Sequence, residues 1–151
     1  MNSKVRVYLD NCAYNRPYDD QTQLSVAMES QSKLQIQSEI KGGKIELVSS
    51  YILDYELSRN PFEMRKAPIQ RFLKDAVKYY IGSERDAEIA PLADEIMKTG
   101  VKEKDAYHIA AAIYAHCDYF ISTDIRLLKY KTDKIKLVTP IEFITEREVE
   151  E

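Results

Sequence analysis

Four acidic residues lie either just after a predicted strand or within a predicted helix that adjoins one. Asp10 directly follows the β-branched run VRVYL, and Asp124 comes shortly after YFIS. Glu56 lies in a helix that follows the strand KIELVS, and Asp105 lies near the start of the helix KDAYHIAAAI. In a parallel α/β sheet the carboxyl ends of the strands share one edge, where ligands bind. We therefore expect the four carboxylates to lie close together.

Crowded carboxylates raise one another's pKa values, and a divalent cation relieves that repulsion. Hard oxygen ligands suit Mg²⁺ or Mn²⁺. Each acid also has a plainer interpretation: Asp10 and Asp124 as caps of a turn or helix, Asp105 as an acid favoured by a helix N-terminus, and Glu56 as a solvated residue. Asp54 competes with Glu56, and only one of them can point inwards because they lie two residues apart on a helix. The common location of the four acids favours a metal site.

The elements that must position these acids alternate between strands and helices. β-branched runs predict strands over 5–9, 44–49, 119–122 and 135–138. Periodic apolar residues and capping signals predict helices over 21–40, 50–59, 67–80, 86–99 and 104–116, and a short final helix opening at Pro140. The segment after Asp10 is predicted to be a loop. The pattern is typical of one α/β domain over 1–145, with a mostly parallel central sheet between helices and an acidic tail over 146–151.

Composition restricts the class of protein. The chain has 151 residues, 44% of them hydrophobic and 31% charged, with a net charge of −3. No apolar run approaches the roughly 20 residues that span a bilayer, and the N-terminus lacks a signal-peptide core. Cys12 and Cys117 are therefore expected to be reduced thiols, and the protein is expected to be cytoplasmic. The acidic balance weakens a nucleic-acid-binding role without excluding it, because local charge matters more than the total.

The motifs around the four acids resemble those of the PIN-domain family, which includes toxins of bacterial toxin–antitoxin pairs. The resemblance rests on Asp10 in VYLDN, Glu56 in SSYILDYEL, Asp105 in KDAYHIAAAI and Asp124 in ISTD, and it covers nearly the whole chain in the same order. The segment DNCAYNRPYDD is similar to a less studied branch of the family. The resemblance implies a PIN-like three-layer sandwich.

The resemblance also implies an activity, namely metal-dependent hydrolysis of RNA phosphodiester bonds. Asp10, Glu56, Asp105 and Asp124 would be the catalytic residues and the ligands of Mg²⁺ or Mn²⁺. An antitoxin partner and a homodimer are further implications of the family. A non-cleaving PIN-like module that binds RNA or protein remains the alternative. A phosphatase of the haloacid-dehalogenase type is disfavoured, because its second aspartate would fall at Cys12.

Several other residues are candidates for supporting roles. Asn11 and Ser122 are predicted to hydrogen-bond around the ligands, with a turn position as the alternative for Asn11. Arg16 lies in a loop near the predicted site and is predicted to contact a substrate phosphate, with simple solvation as the alternative. His108 lies one turn after Asp105 and is interpreted as a histidine in the wall of the site, with a general-base role as the alternative.

Overall fold

The centre of the molecule is a five-stranded parallel sheet. The computed structural model describes residues 4–150, and side chains as far as residue 148. The strands are β1 (Val5–Leu9), β2 (Ile45–Ser50), β3 (Val77–Ile81), β4 (Tyr119–Ile121) and β5 (Lys136–Val138), in the order β3-β2-β1-β4-β5. Every neighbouring pair is parallel, and Val7 in the central strand pairs with Leu47 on one side and Tyr119 on the other.

Helices cover both faces of the sheet and make the fold a three-layer α/β sandwich. They are α1 (Asn11–Asn15), α2 (Leu24–Lys41), α3 (Tyr51–Ser58), α4 (Glu63–Ala76), α5 (Asp86–Met97), α6 (Glu103–Tyr114) and α7 (Pro140–Glu150). Alternate side chains of β1 point to opposite faces. Val7 and Leu9 join a core with α2, α4 and α7, whereas Tyr8 joins a second core with α5 and α6. The predicted fold class is confirmed.

Several residues that the sequence predicts to begin or end helices do so in the structure. Ser50 caps α3, and its hydroxyl accepts a hydrogen bond from the Leu53 amide at 3.4 Å. Gly42 is the C-cap of α2, and Gly43 follows with φ of 77°, a left-handed conformation that a side chain would strain. Pro140 opens α7 at its first position. These ends determine where each connection leaves the sheet.

One strand was predicted wrongly as helix. The segment VKYYI forms the edge strand β3, although the predicted helix over 67–80 runs through most of it. Helix α4 instead begins earlier, at Glu63, and ends at Ala76, and β3 follows without an intervening residue. No glycine or proline separates the two elements, so the sequence carries no stop signal there. Pairing with β2, together with the β-branched and aromatic side chains, decides the strand conformation.

Two shorter segments also differ from the prediction. The residues after Asp10 form the short helix α1 instead of a loop. The predicted tail over 146–151 is helical as far as Glu150, because α7 continues through it, and Glu151 lies outside the described residues. Glu146 accepts a hydrogen bond from the Tyr119 hydroxyl at 2.8 Å, and Arg147 lies 3.4 Å from Glu39. No helix in residues 4–150 has both the length and the apolar composition needed to cross a membrane.

Candidate metal centre

The four acids come together in one cleft at the carboxyl edge of the sheet. Asp10, Glu56, Asp105 and Asp124 all line a cleft of about 340 Å³, which we call the acidic cleft. Its other lining residues come from α1 and the turn that follows it: Asn11, Cys12, Asn15, Arg16 and Asp19. The central strand β1 and its neighbour β4 end beneath the cleft, since the Asp10 amide donates to the Ile121 carbonyl at 2.9 Å.

Asp10 is the most buried of the four acids, with 6% of its surface exposed. It is the N-cap of α1, and its Oδ1 accepts from the Asn11 amide at 2.8 Å. Its Oδ2 accepts from the Ser122 hydroxyl at 3.0 Å and from the Cys12 thiol at 3.3 Å. The predicted contact of Ser122 is therefore present, and capping and cleft lining are compatible roles for the same carboxylate.

Glu56 points into the cleft, whereas Asp54 points away from it. The Asp54 carboxylate accepts a hydrogen bond from the Tyr80 hydroxyl at 2.6 Å on the far side of α3. Glu56 contacts the imidazole Nε2 of His108 and lies 3.8 Å from the Lys104 ammonium. Burial raises the pKa of Glu56, but the hydrogen bond and charge of His108, with the charge of Lys104, outweigh burial and leave the pKa below its usual value. Glu56 is therefore a carboxylate at neutral pH.

A buried chain of hydrogen bonds holds the His108 ring in place. The Nδ1 atom lies 2.6 Å from the Tyr8 hydroxyl, which in turn lies 2.7 Å from the Ser50 hydroxyl. All three side chains are fully buried. Burial also raises the pKa of Tyr8 well above its usual value, so the phenol stays protonated. The sequence places His108 on the correct flank of α6, but it does not reveal these hydrogen bonds, because Ser50 and Tyr8 lie 58 and 100 residues before His108.

A second chain of hydrogen bonds supports Glu56 from the opposite side. The Asn60 amide donates to Asn15, Asn15 donates to Asn11, and Asn11 donates to Glu56 Oε2, with distances of 3.3, 3.0 and 3.3 Å. The Asn11 side chain thus hydrogen-bonds to Glu56, one of the predicted ligands, because Asn11 at the start of α1 faces α3.

Asp105 and Asp124 complete the lining of the cleft. Burial raises the pKa of Asp105 first, and the negative charges of Asp10, Asp124 and Glu56 raise it further. Asp124 Oδ1 accepts from the amides of Arg126 and Leu127 at 3.0 and 3.4 Å, so this carboxylate closes the turn that leads into a 3-10 helix over Leu127–Lys129. The sequence left open a role for Asp124 as a helix N-cap, but the N-cap position of that helix is Arg126.

The donor set suits a hard divalent cation. Ligand atoms of Asp10, Glu56 and His108 all lie within 4.8 Å of one another. Both His108 nitrogens are engaged, with Glu56 and with Tyr8, so we interpret His108 as the residue that orients Glu56. Carboxylate oxygens from Asp10 and Glu56, with Asp105 and Asp124 beside them, are ligands of the kind that Mg²⁺ and Mn²⁺ prefer.

Arg16 and Cys12 line the cleft, and both have polar partners within the chain. The Arg16 guanidinium lies 3.4 Å from both Asp19 and Glu29, so its charge is largely neutralised within the chain. Burial raises the pKa of the Cys12 thiol to about 11, and the Asp10 charge acts in the same direction. A protonated thiol is a weak metal ligand, so Cys12 serves here as a donor to Asp10.

Comparison with solved structures relates this architecture to known proteins. The chain is similar to the crystal structure of VapBC2 from Rickettsia felis bound to a DNA fragment from their promoter, with a TM-score of 0.56 and 12% identity over 89% of this chain and 98% of that one. It is also similar to PAE2754 from Pyrobaculum aerophilum, with a TM-score of 0.50 and 18% identity over 99% and 100% of the two chains. The chain has a PIN-like fold. No protein-family model matches the sequence, and no curated protein matches it.

Proposed function

We propose that this PIN-like protein is a metal-dependent endoribonuclease. The observation that carries the proposal is the meeting of four carboxylates from four separate segments in the acidic cleft. Mutual repulsion makes such a group costly unless it binds a cation. The raised pKa of Asp105, which burial and the neighbouring acids cause, is the electrostatic sign of that repulsion.

Each residue of the cleft has a defined part in the proposed reaction. A Mg²⁺ or Mn²⁺ ion held by Asp10, Glu56, Asp105 and Asp124 would neutralise phosphate charge and lower the pKa of a water molecule. Ser122 and Cys12 hold the Asp10 carboxylate in a fixed orientation by donating to its Oδ2.

Glu56 is the acid best placed to orient the attacking water. Its depressed pKa keeps it ionised, so it can accept a hydrogen bond from water at neutral pH. His108 and Asn11 hold its two oxygens from opposite sides. The RNA substrate would provide the scissile phosphodiester, and a cytoplasmic location would expose the enzyme to it.

An RNA cleavage assay tests the proposal. Purified protein with Mg²⁺ or Mn²⁺ should degrade mixed RNA, EDTA should stop degradation, and Asp10→Asn should abolish it. Asp75→Asn is the matched control, because Asp75 is exposed and lies just before β3, at the opposite edge of the sheet. Stable RNA under all conditions would favour the alternative, a non-cleaving module that binds RNA or protein. Cleavage of DNA but not RNA would overturn the choice of substrate.

We further propose that the protein is the toxin of a toxin–antitoxin pair. The likeness to the VapBC2 structure supports this role, and the cluster of carboxylates offers a partner the chance to insert a Lys or Arg side chain in place of a cation. Expression of the protein alone should slow cell growth, and Asp10→Asn should restore it. Normal growth with abundant wild-type protein would contradict the toxin role without contradicting the nuclease.

A further inference from the structure

A large cavity borders the acidic cleft on the side of β4. It has a volume of about 770 Å³ and shares Asp105 and Asp124 with the cleft. Its wall is formed by residues 99–102 and by residues 124–127 and 129–131, and we call it the lysine pocket. Four exposed cations line it: Lys102, Arg126, Lys129 and Lys131.

The positive charge of the lysine pocket is not used inside the protein. Among the residues that the structure describes, none of these four cations forms an ion pair. Four cations against the two carboxylates of Asp105 and Asp124 leave this cavity with an excess of positive charge, in a chain whose net charge is −3. Such an excess beside a carboxylate site suits the phosphates of a polyanion.

A second cavity borders the cleft on the side of α3 and has a different character. It has a volume of about 530 Å³ and shares Asn11, Asn15 and Glu56 with the cleft. Tyr55 and Phe62 line it with 60% of each side chain exposed, and we call it the aromatic pocket. Arg59 and Arg65 lie over these rings at 5.7 and 5.4 Å from the ring centroids. Exposed rings beside guanidinium groups are suited to stacking on nucleic-acid bases.

We propose that the two pockets form one track for single-stranded RNA across the acidic cleft, with phosphates on the lysine pocket and bases on the aromatic pocket. This inference rests on the proposed function, because the cleft between the pockets would hold the scissile bond. A single strand fits better than a duplex, because the bases of a duplex are stacked inside the helix and cannot reach Tyr55 or Phe62. An acidic protein segment would form ion pairs with the cations of the lysine pocket, but its carboxylates would not stack on the rings of the aromatic pocket.

Fluorescence anisotropy with a short, unstructured, labelled RNA tests the track without requiring hydrolysis. Measured in EDTA with the full chain, the logarithm of wild-type affinity should fall linearly with the logarithm of salt concentration. The double variant Lys129→Gln/Lys131→Gln should reduce that slope by about 0.7 for each lysine. Phe62→Ala should weaken binding by roughly tenfold while leaving the salt slope unchanged. Lys78→Gln, an exposed lysine on the edge strand β3, is the control and should change neither quantity.

The outcomes separate this proposal from the nuclease proposal. RNA that binds with these two signatures but is never cleaved leaves the track intact and overturns the nuclease. RNA that is cleaved while the lysine and Phe62 variants bind like wild type overturns the track. The track is also wrong if wild type does not bind at low salt or prefers duplex RNA. Displacement of the RNA by poly-glutamate with no effect of Phe62→Ala would identify the lysine pocket as a protein-docking surface.

Discussion

Lys33 offers a quantitative test of the packing on the α2 face of the sheet. Only 4% of this lysine is exposed, and its ammonium lies 5.3 and 5.5 Å from the ring centroids of Tyr14 and Phe72. It donates a hydrogen bond to Gln37 at 2.6 Å. Burial lowers the pKa of Lys33 from 10.5 to about 8, and the charge of Lys41 acts in the same direction.

The pKa difference corresponds to a free-energy cost of roughly 3 kcal/mol for keeping Lys33 charged in the folded state. Replacing Lys33 by Met removes that cost but also removes a cation–π contact and a hydrogen bond, each worth about 1 kcal/mol. We therefore expect Lys33→Met to increase the free energy of unfolding by about 1 kcal/mol at pH 7.

The lowered pKa of Lys33 makes the stability of the wild-type protein depend on pH. The folded state releases the Lys33 proton at a lower pH than the unfolded state does, so the unfolded state binds more protons between about pH 8 and 10.5. Wild-type stability therefore gains a rising contribution across that window, and the cost is fully present below it. Lys33→Met should lack this contribution. The excess of its free energy of unfolding over that of wild type should therefore shrink and then change sign as the pH rises.

Urea unfolding of both proteins at pH 7 and again near pH 10 measures these quantities. Lys74→Met is a control, because Lys74 is an exposed lysine on a helix of the same layer and should give a nearly constant difference. A loss of stability in Lys33→Met at pH 7, or a difference that does not change with pH, would refute the reasoning.

Three further substitutions test the core and the cleft. The Tyr14 hydroxyl is buried without a hydrogen-bond partner in the part of the chain that the structure describes, so Tyr14→Phe should be as stable as wild type or about 1 kcal/mol more stable in urea unfolding. Burial and the charge of Asp10 raise the pKa of Asp105, so the ionised form of Asp105 destabilises the folded state at pH values above that pKa. In EDTA at pH 7, Asp105→Asn should therefore melt at a higher temperature than wild type. The difference in melting temperature should be smaller in acid, where Asp105 is protonated. His108→Leu should lower RNA cleavage at least about tenfold yet keep most of the metal-induced rise in melting temperature, because it disorders Glu56 and leaves the other three proposed ligands in place.

The fold could be predicted from the sequence where local signals and tertiary structure agree. The run VRVYL is strand-like by composition and is also the central strand, and Ser50 and Gly42 mark helix ends that the structure retains. The strand β3 could not be predicted in this way, because its helical neighbour α4 runs into it without a stop signal. Its identity depends on pairing with β2, which lies some 30 residues earlier in the chain.

Only part of the candidate site could be predicted from the sequence. The four acids could be placed together because all strands of a parallel sheet run in the same direction, so that their carboxyl ends share one edge. Their supporting contacts could not be predicted, since the chain from Ser50 through Tyr8 to His108 and the chain from Asn60 to Asn11 join residues that are distant in sequence. Side-chain contacts of this kind depend on packing and not on spacing.

The central claim is that the four carboxylates form one cation site, and thermal melts with and without Mn²⁺ test it most directly. A ligand that binds only the folded state at about a hundredfold excess over its dissociation constant stabilises by about 2.7 kcal/mol. For a chain of this size, that corresponds to a rise of roughly 5–10 °C in melting temperature. Wild type and Asp75→Asn should both show this rise, and Asp10→Asn should lose most of it. If wild type gains nothing from Mn²⁺, or if Asp10→Asn gains as much as wild type, the four acids do not form the site.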